Sequence, residues 1–288
     1  MSRVKESIPM FHAEKMRVDD FPFAVDLANT MDWNMAECDF EFMLKLEPEG
    51  CFVLFEDDKR IGIATCVSYG KLGWFGNLAV REEDRRKGAG TFLVNYAVDY
   101  LRAIGVETIG LYAYQHLIGF YENVGFKTHD EFVVLSGKVV PIEIARIVSK
   151  AKTADIPALL QFVKRCRGQN LQKIMKPLLA NESNVCYVVI DREEIAGFVV
   201  AKNYDEMTEL GPLLCKPDRE DVAVDLLRTI LQKLGGAKVF ACVPANQEIL
   251  FETLRVAGLR EEFRVTRMFL GPIPPENCTY LPESLERG

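Results

Sequence analysis

Apolar residues along the chain fall into short β-type runs and stretches of helical period. In the first half, Asp19 or Asp20 followed by Pro22 predicts a helix start, the acid as N-cap and the proline in the first turn. CFVLFE (51–56) and RIGIATCVS (60–68) predict two strands, joined as a hairpin by Asp57, Asp58 and Lys59. LGWFGNLAV (72–80) predicts a third strand. Phe92, Leu93, Tyr96, Ala97, Tyr100, Leu101 and Ile104 then recur at helical spacing. TIGLYAY (108–114) reads as a strand, HLIGFYENV (116–124) as a short helix and EFVVLSG (131–137) as a last strand. Helices, a β-meander, then alternating strand and helix imply an α/β or α+β layer, with one face of the sheet covered by helix.

The pattern repeats. Asp20 and Pro22 fall on Asp155 and Pro157 at a shift of 135, which also sets CFVLFEDDKRIGIA (51–64) on CYVVIDREEIAGFV (186–199) and GNLAV (76–80) on GPLLC (211–215). VGF (124–126) meets AGL (257–259) at 133. Two copies of domain size follow, divided near SGKVVPIE (136–143) into residues 1–138 and 139–288.

Composition narrows the partners. Apolar residues are 49% and charged residues 27%, the balance of a soluble globular protein. No apolar run is long enough to span a membrane. The start, MSRVKESIPMFHAEKMRVDD, lacks the apolar stretch of a signal peptide and has acids a transit peptide avoids. A cytoplasmic protein without a membrane partner is expected. The net charge of −7 argues against nucleic acid. The eight cysteines form no C-x-x-C pair and several lie in apolar runs, Cys51 and Cys186 among them, so buried reduced thiols are expected. Three histidines, none grouped with cysteine, give no support to a metal site.

The segment NLAVREEDRRKGAGTFLVNYAV (77–98) carries the chemistry. A strand ends at Val80, and Arg85-Arg86-Lys87-Gly88-Ala89-Gly90-Thr91 opens a helix. Glycines at 88 and 90 let backbone approach a ligand closely. The unpaired N–H groups of a helix start, with its dipole, form an anion seat suited to a pyrophosphate. A glycine-containing helix start with solvated cations would show the same letters. No Gly-Lys-Ser/Thr makes it a P-loop, and the G-x-G-x-x-G spacing of a dinucleotide fold is missing.

Strand, R-x-x-G-x-G, amphipathic helix, strand and FYENVGF, in that order, resemble the acetyl-CoA-binding core of the GCN5-related N-acetyltransferases (GNAT). The resemblance covers the first copy. It implies two acyl-CoA N-acyltransferase-like domains in tandem, each a mixed, mostly antiparallel sheet flanked by helices. It also implies acetyl-CoA as co-substrate with no metal. The backbone of Leu78, Ala79 and Val80 would run beside the pantetheine arm, and the amides from Arg86 through Lys87, Gly88, Ala89 and Gly90 to Thr91 would hold the pyrophosphate, with Arg85 nearby. Phe120 and Tyr114 would line the cofactor, Tyr114 standing where the family often has asparagine. Tyr121 falls where the family places the tyrosine that protonates the departing thiolate. The strand offers no carboxylate as base: Asn77 cannot take a proton, and Asp32 is a guess drawn from MDWNMAE, with a helix cap before Trp33 as the equal alternative. His116 is expected to be a polar surface residue. Trp33, Trp74 and Tyr112 are candidates for the acceptor cleft or for the core.

At the shift of 135 Arg85, Arg86, Gly88 and Gly90 become Glu220, Asp221, Ala223 and Asp225, while Leu254 replaces the tyrosine. The second copy is therefore expected to keep the fold and lose the chemistry, packing on the first, covering its acceptor cleft or widening a homodimer interface. The expected function is acetyl transfer from acetyl-CoA to an amine, on a small molecule or a protein. A non-catalytic acyl-CoA sensor is the alternative, and a longer acyl chain or an alcohol acceptor a third.

Overall fold

The computed structural model describes residues 10–144, 148–168, 170–204 and 207–288. The start of the segment examined for a targeting signal, residues 1–9, lies outside them. The first copy runs β1 (Phe11–Lys15), α1 (Phe21–Asn29), α2 (Glu37–Leu46), β2 (Cys51–Glu56), β3 (Lys59–Ser68), β4 (Leu72–Val80), α3 (Ala89–Ala103), β5 (Thr108–Tyr114), α4 (Ile118–Val124) and β6 (Lys127–Lys138). The second repeats it with β7 (Ser149–Lys150), α5 (Ile156–Arg167), α6 (Gln172–Ala180), β8 (Val185–Asp191), β9 (Glu194–Asn203), β10 (Thr208–Cys215), α7 (Glu220–Lys233), β11 (Lys238–Pro244), α8 (Glu248–Val256) and β12 (Arg260–Leu270). A short strand, β13 (Thr279–Leu281), has no counterpart in the first copy. Each copy is a mixed, largely antiparallel sheet flanked by helices, as expected, with helices on both faces where the pattern predicts one covered face.

The Asp-x-Pro starts serve a slightly different purpose from the one expected. The Asp20 carboxylate accepts the backbone N–H of Arg17 at 2.9 Å, and Asp155 that of Lys152 at 2.7 Å. Each acid thus caps the single 3-10 turn ahead of its helix, and the proline opens the helix itself.

The two sheets are one. Strand order is β1-β2-β3-β4-β5-β12-β6-β11-β10-β9-β8-β7, with β13 attached to β10. The last strand of each copy therefore pairs with the fifth strand of the other. Antiparallel β5 and β12 run from Ile109 opposite Leu270 to Tyr114 opposite Val265, and β6 pairs β11 from Phe132 opposite Pro244 to Lys138 opposite Lys238. β6 and β12 also pair with each other at the centre. Neither copy can close its own sheet without the other's last strand.

The cores follow this arrangement. On one face α3 and α4 cover the first copy through Leu93, Ala97, Leu101 and Phe126, and α7 and α8 cover the second through Leu226, Ile230 and Leu254. On the other face α1, α2, α5 and α6 share one core, with Phe21, Phe40 and Met43 in continuous contact with Leu159, Phe162 and Phe198. Among the described residues no cysteine forms a disulfide; Cys51 is buried, whereas Cys186 is only half-buried. No helix among the described residues is long and apolar enough to cross a membrane.

The exchanged strand β12 carries a buried guanidinium, Arg267, into the centre of the sheet. Glu276 takes it at 2.8 and 3.0 Å and also binds the buried Arg167, while Asp130 on β6 provides a second carboxylate. Burial would raise the Glu276 carboxyl, but the two arginines outweigh it and hold it below the usual carboxylate value. Taking away that acid leaves the buried Arg167 without a carboxylate and Arg267 with Asp130 alone. Glu276→Gln is expected to destabilise the protein by about 3–5 kcal/mol, read from urea unfolding; a change below about 1 kcal/mol would show that the network is dispensable.

Candidate active site

The cleft of the first copy starts with a break in strand pairing. β4 and β5 are parallel partners only from Leu72–Trp74 to Thr108–Gly110, after which they part. A bulge in β4 helps to part them. Ile63 faces Ala79 and Thr65 faces Gly76, so Asn77 and Leu78 lie opposite one residue of β3. Asn77 takes the left-handed backbone (φ 50°) that asparagine tolerates, and its amide donates to the Thr65 hydroxyl at 3.1 Å. Beyond the bulge, Ala79 and Val80 pair with β3 on one side; among the described residues no strand occupies the other side of Leu78–Val80. An extended polar chain can add there as a strand would.

The loop that follows turns its backbone toward the same cleft. Arg86 (φ 62°) and Gly88 (φ 92°) both adopt the left-handed conformation, and Gly88 caps the N-terminus of α3. A side chain at Gly90 would come within 3.4 Å of the Phe120 ring, so helix and ring pack at their closest there. The three cations divide their work. Arg85 Nε donates to the Val80 carbonyl at 2.9 Å, and Lys87 binds Asp84 at 3.0 Å. Arg86 makes no ion pair among the described residues. The buried Asp84 also takes Lys59 at 2.9 Å. Burial alone would raise its carboxyl; hydrogen bonds from Lys59 and Lys87 outweigh that and hold it low. The backbone from Arg86 to Thr91, with the one guanidinium that makes no ion pair among the described residues, is an arrangement that can seat an anion.

Tyr121 is buried between Phe120 and Phe126, at centroid distances of 4.9 and 5.9 Å. Burial pushes its phenol well above the ordinary range, which keeps it protonated and makes it a weaker acid than a free phenol. Tyr114 accepts a hydrogen bond from Trp33 Nε1 at 3.2 Å, which ties the α1–α2 loop to the end of β5. Asp32, next to Trp33, is exposed, with left-handed backbone (φ 58°). His116 is exposed and packs on Tyr114, as expected of a surface residue.

Trp74 is covered, while Tyr112 is half-buried. Trp74 is 1% exposed, its ring 5.2 Å from that of Tyr112 and its N–H donating to the Leu285 carbonyl at 3.2 Å. The segment that covers Trp74, Pro282–Gly288, was missed by the sequence reading, as was β13. Only the short apolar run TYL before PESLERG hints at either.

In the second copy the same positions look different. β10 has its bulge between Leu210 and Leu213, but Leu213–Cys215, at the shift of 135 from Leu78–Val80, pair antiparallel with β13. The edge left open in copy one is filled by the chain itself. The loop is shorter too. Four residues separate β10 from α7, against eight between β4 and α3. Helix ends align at a shift of 130, Ile104 with Leu234, so Glu220, Asp221, Ala223 and Asp225 do not replace Arg85, Arg86, Gly88 and Gly90 one for one; half of the loop is deleted. The tyrosine correspondence holds, since Phe126 N–H to Tyr121 carbonyl and Leu259 N–H to Leu254 carbonyl are matching bonds, each 3.1 Å.

The profile of the Acetyltransferase (GNAT) family matches residues 14–126, and that of an Acetyltransferase (GNAT) domain matches 159–281. The chain is a tandem GNAT-superfamily protein. No curated protein matches it. A proposed acetyltransferase from Pyrococcus horikoshii shares the fold over 100% of both chains, with a TM-score of 0.79 at 19% identity. A GNAT protein from Sphaerobacter thermophilus covers 92% of this chain and 96% of its own (TM-score 0.68, 15% identity). One from Anabaena variabilis covers 90% and 72% (TM-score 0.60, 11% identity). At these identities they establish the fold of this GNAT chain, not its substrate.

Asp84 gives the loop a test. A carboxyl held below its unfolded value stabilises fully above the usual 3.8 and loses that contribution as pH falls through the lowered folded value. Asp84→Asn is expected to lower the melting temperature by roughly 2–4 °C at pH 7, with the gap closing in acid below the usual aspartate value. An equal gap at both ends would refute the ion-pair account.

Proposed function

We propose that residues 1–138 form an acetyl-CoA-dependent N-acetyltransferase and that residues 139–288 form a second unit which has given up cofactor binding. GNAT membership supports acyl-CoA-dependent acyl transfer in general. The observation that carries the finer reading is the contrast between two equivalent strand edges: Leu78–Val80 open in copy one, Leu213–Cys215 occupied by β13 in copy two. The residues of copy one fit the cofactor. Its pantetheine amides would add to the open edge, and its pyrophosphate would take the Arg86–Thr91 amides with Arg85 and Arg86 nearby. Bound there, acetyl-CoA supplies the activated acyl group.

The chain's own groups do the rest. The Leu78 N–H, at the bulge, would stabilise the oxyanion that forms beside the open edge. Tyr121, kept neutral by burial, gives its proton to the departing sulfur. The net charge of −7 favours a positively charged amine as acceptor. Copy two serves as scaffold, lending β12 to the sheet and Pro282–Gly288 to the cleft wall.

Tyr121→Phe separates catalysis from binding. Acetyl-CoA affinity by calorimetry should stay within about twofold, while thiol release with an accepted amine falls by roughly 10²–10⁴. Unchanged turnover would remove Tyr121 from the mechanism. Acetyl-CoA binding without thiol release from any amine, in the wild type, would favour an acyl-CoA sensor.

A further inference from the structure

The last turn of α5 and the stretch that leads into β13 meet along a short seam. The Asn277 N–H donates to the Cys166 carbonyl at 3.0 Å, and the neighbouring residues, Arg167 and Glu276, form an ion pair whose guanidinium is buried. The same seam brings two thiols together from positions more than a hundred residues apart. Cys166 belongs to the core shared by α1, α2, α5 and α6, and Cys278, half-buried, packs against that core. The Cys278 S–H donates to the Cys166 sulfur.

The surroundings make the two sulfurs unequal. The hydrogen bond from Cys278, with positive charge on Arg165, Lys216 and Arg167, outweighs burial and holds the Cys166 thiol below its usual value. Cys278 is pushed up by the hydrogen bond it donates and by burial, so it keeps its proton. A reactive sulfur thus faces a thiol that can resolve it. Other cysteines lack this pairing of a lowered and a raised thiol: burial pushes Cys51 and Cys186 up to about 12 and Cys215 to about 11. The Cys215 sulfur, although close to Cys166, is turned to the Arg219 carbonyl at 3.5 Å.

We infer that Cys166 and Cys278 are a redox pair, a reversible modification site at which a peroxide closes a disulfide between α5 and the start of β13. The Cys166 thiolate attacks one oxygen of hydrogen peroxide; an S–O bond forms, the O–O bond breaks and hydroxide leaves, taking up the proton the thiol had shed. The Cys278 sulfur then attacks the Cys166 sulfur, and its proton goes to the departing hydroxide as the S–O bond breaks. The two sulfurs lose a pair of electrons, and the peroxide is reduced to two waters. The seam already holds the main chains together, so the second step is between neighbours. Thr279, next to Cys278, is the first residue of β13 and pairs with Cys215 of β10. The disulfide therefore fastens, at its leading end, the strand that fills the edge of the second copy.

The test treats the full-length wild type with hydrogen peroxide, blocks the remaining thiols with N-ethylmaleimide and digests without reduction, using a glutamate-specific protease. Mass spectrometry should find the Cys166 peptide joined to the Cys278 peptide, and dithiothreitol should separate them. Oxidation should raise the melting temperature by about 5 °C or more, because the bond closes a long loop. That rise should vanish in Cys166→Ser and Cys278→Ser and persist in Cys215→Ser. Cys166 joined to Cys215, or Cys166 and Cys278 carried to sulfinic acid with no bond between them, would overturn the inference. So would both thiols staying unreacted while the exposed Cys38 is oxidised. A bond that forms but leaves the melting temperature unchanged or lower would overturn the fastening of β13.

Discussion

The pairing of β12 with β5 is the constraint on which the rest depends. It places the last strand of the second copy inside the sheet of the first, and β6 makes the reciprocal exchange against β11. Ladder hydrogen bonds leave no unpaired edge at the junction, and the two arginines gathered around Glu276 are buried because the strands interleave. The exchange also fixes where the chain goes next. Leaving β12, it returns to the second copy as β13 and then crosses to β4 of the first.

That path makes two similar folds unequal. Both copies part their fourth and fifth strands beyond a bulge, and both leave backbone groups there to be satisfied. In the second copy β13 meets this demand, and a four-residue connection replaces the loop with its left-handed Arg86 and Gly88. In the first copy the edge stays open and the loop stays long. The segment that follows β13 then lies against Trp74 and Gly76 on β4 of the other copy.

Much of this was legible in the sequence. Hydrophobic period gave the elements, and the shared Asp-x-Pro, Cys and Gly positions gave the repeat, because each reflects a local requirement: a cap, a core thiol, a close strand approach. Gly88 signalled the loop before α3, since its left-handed backbone (φ 92°) favours glycine; at Gly90 a Cβ would meet the Phe120 ring at ordinary contact distance. The strand exchange was not legible, because β6 and β12 read as ordinary strands whichever copy they join. Trp74 seemed available to an acceptor because its cover lies some 200 residues away in sequence. The deleted loop was hidden as well: the shift of 135 holds up to Val80 and Cys215, then changes inside a stretch where helical residues align at several registers.

The asymmetry between the two grooves is tested most directly by calorimetric titration with acetyl-CoA of the wild type and of a Gly88→Asp/Gly90→Asp variant. The account predicts one site per chain, lost in the variant, where two carboxylates occupy the anion seat and one meets Phe120. Two sites per chain, or one that survives the substitutions, would contradict it.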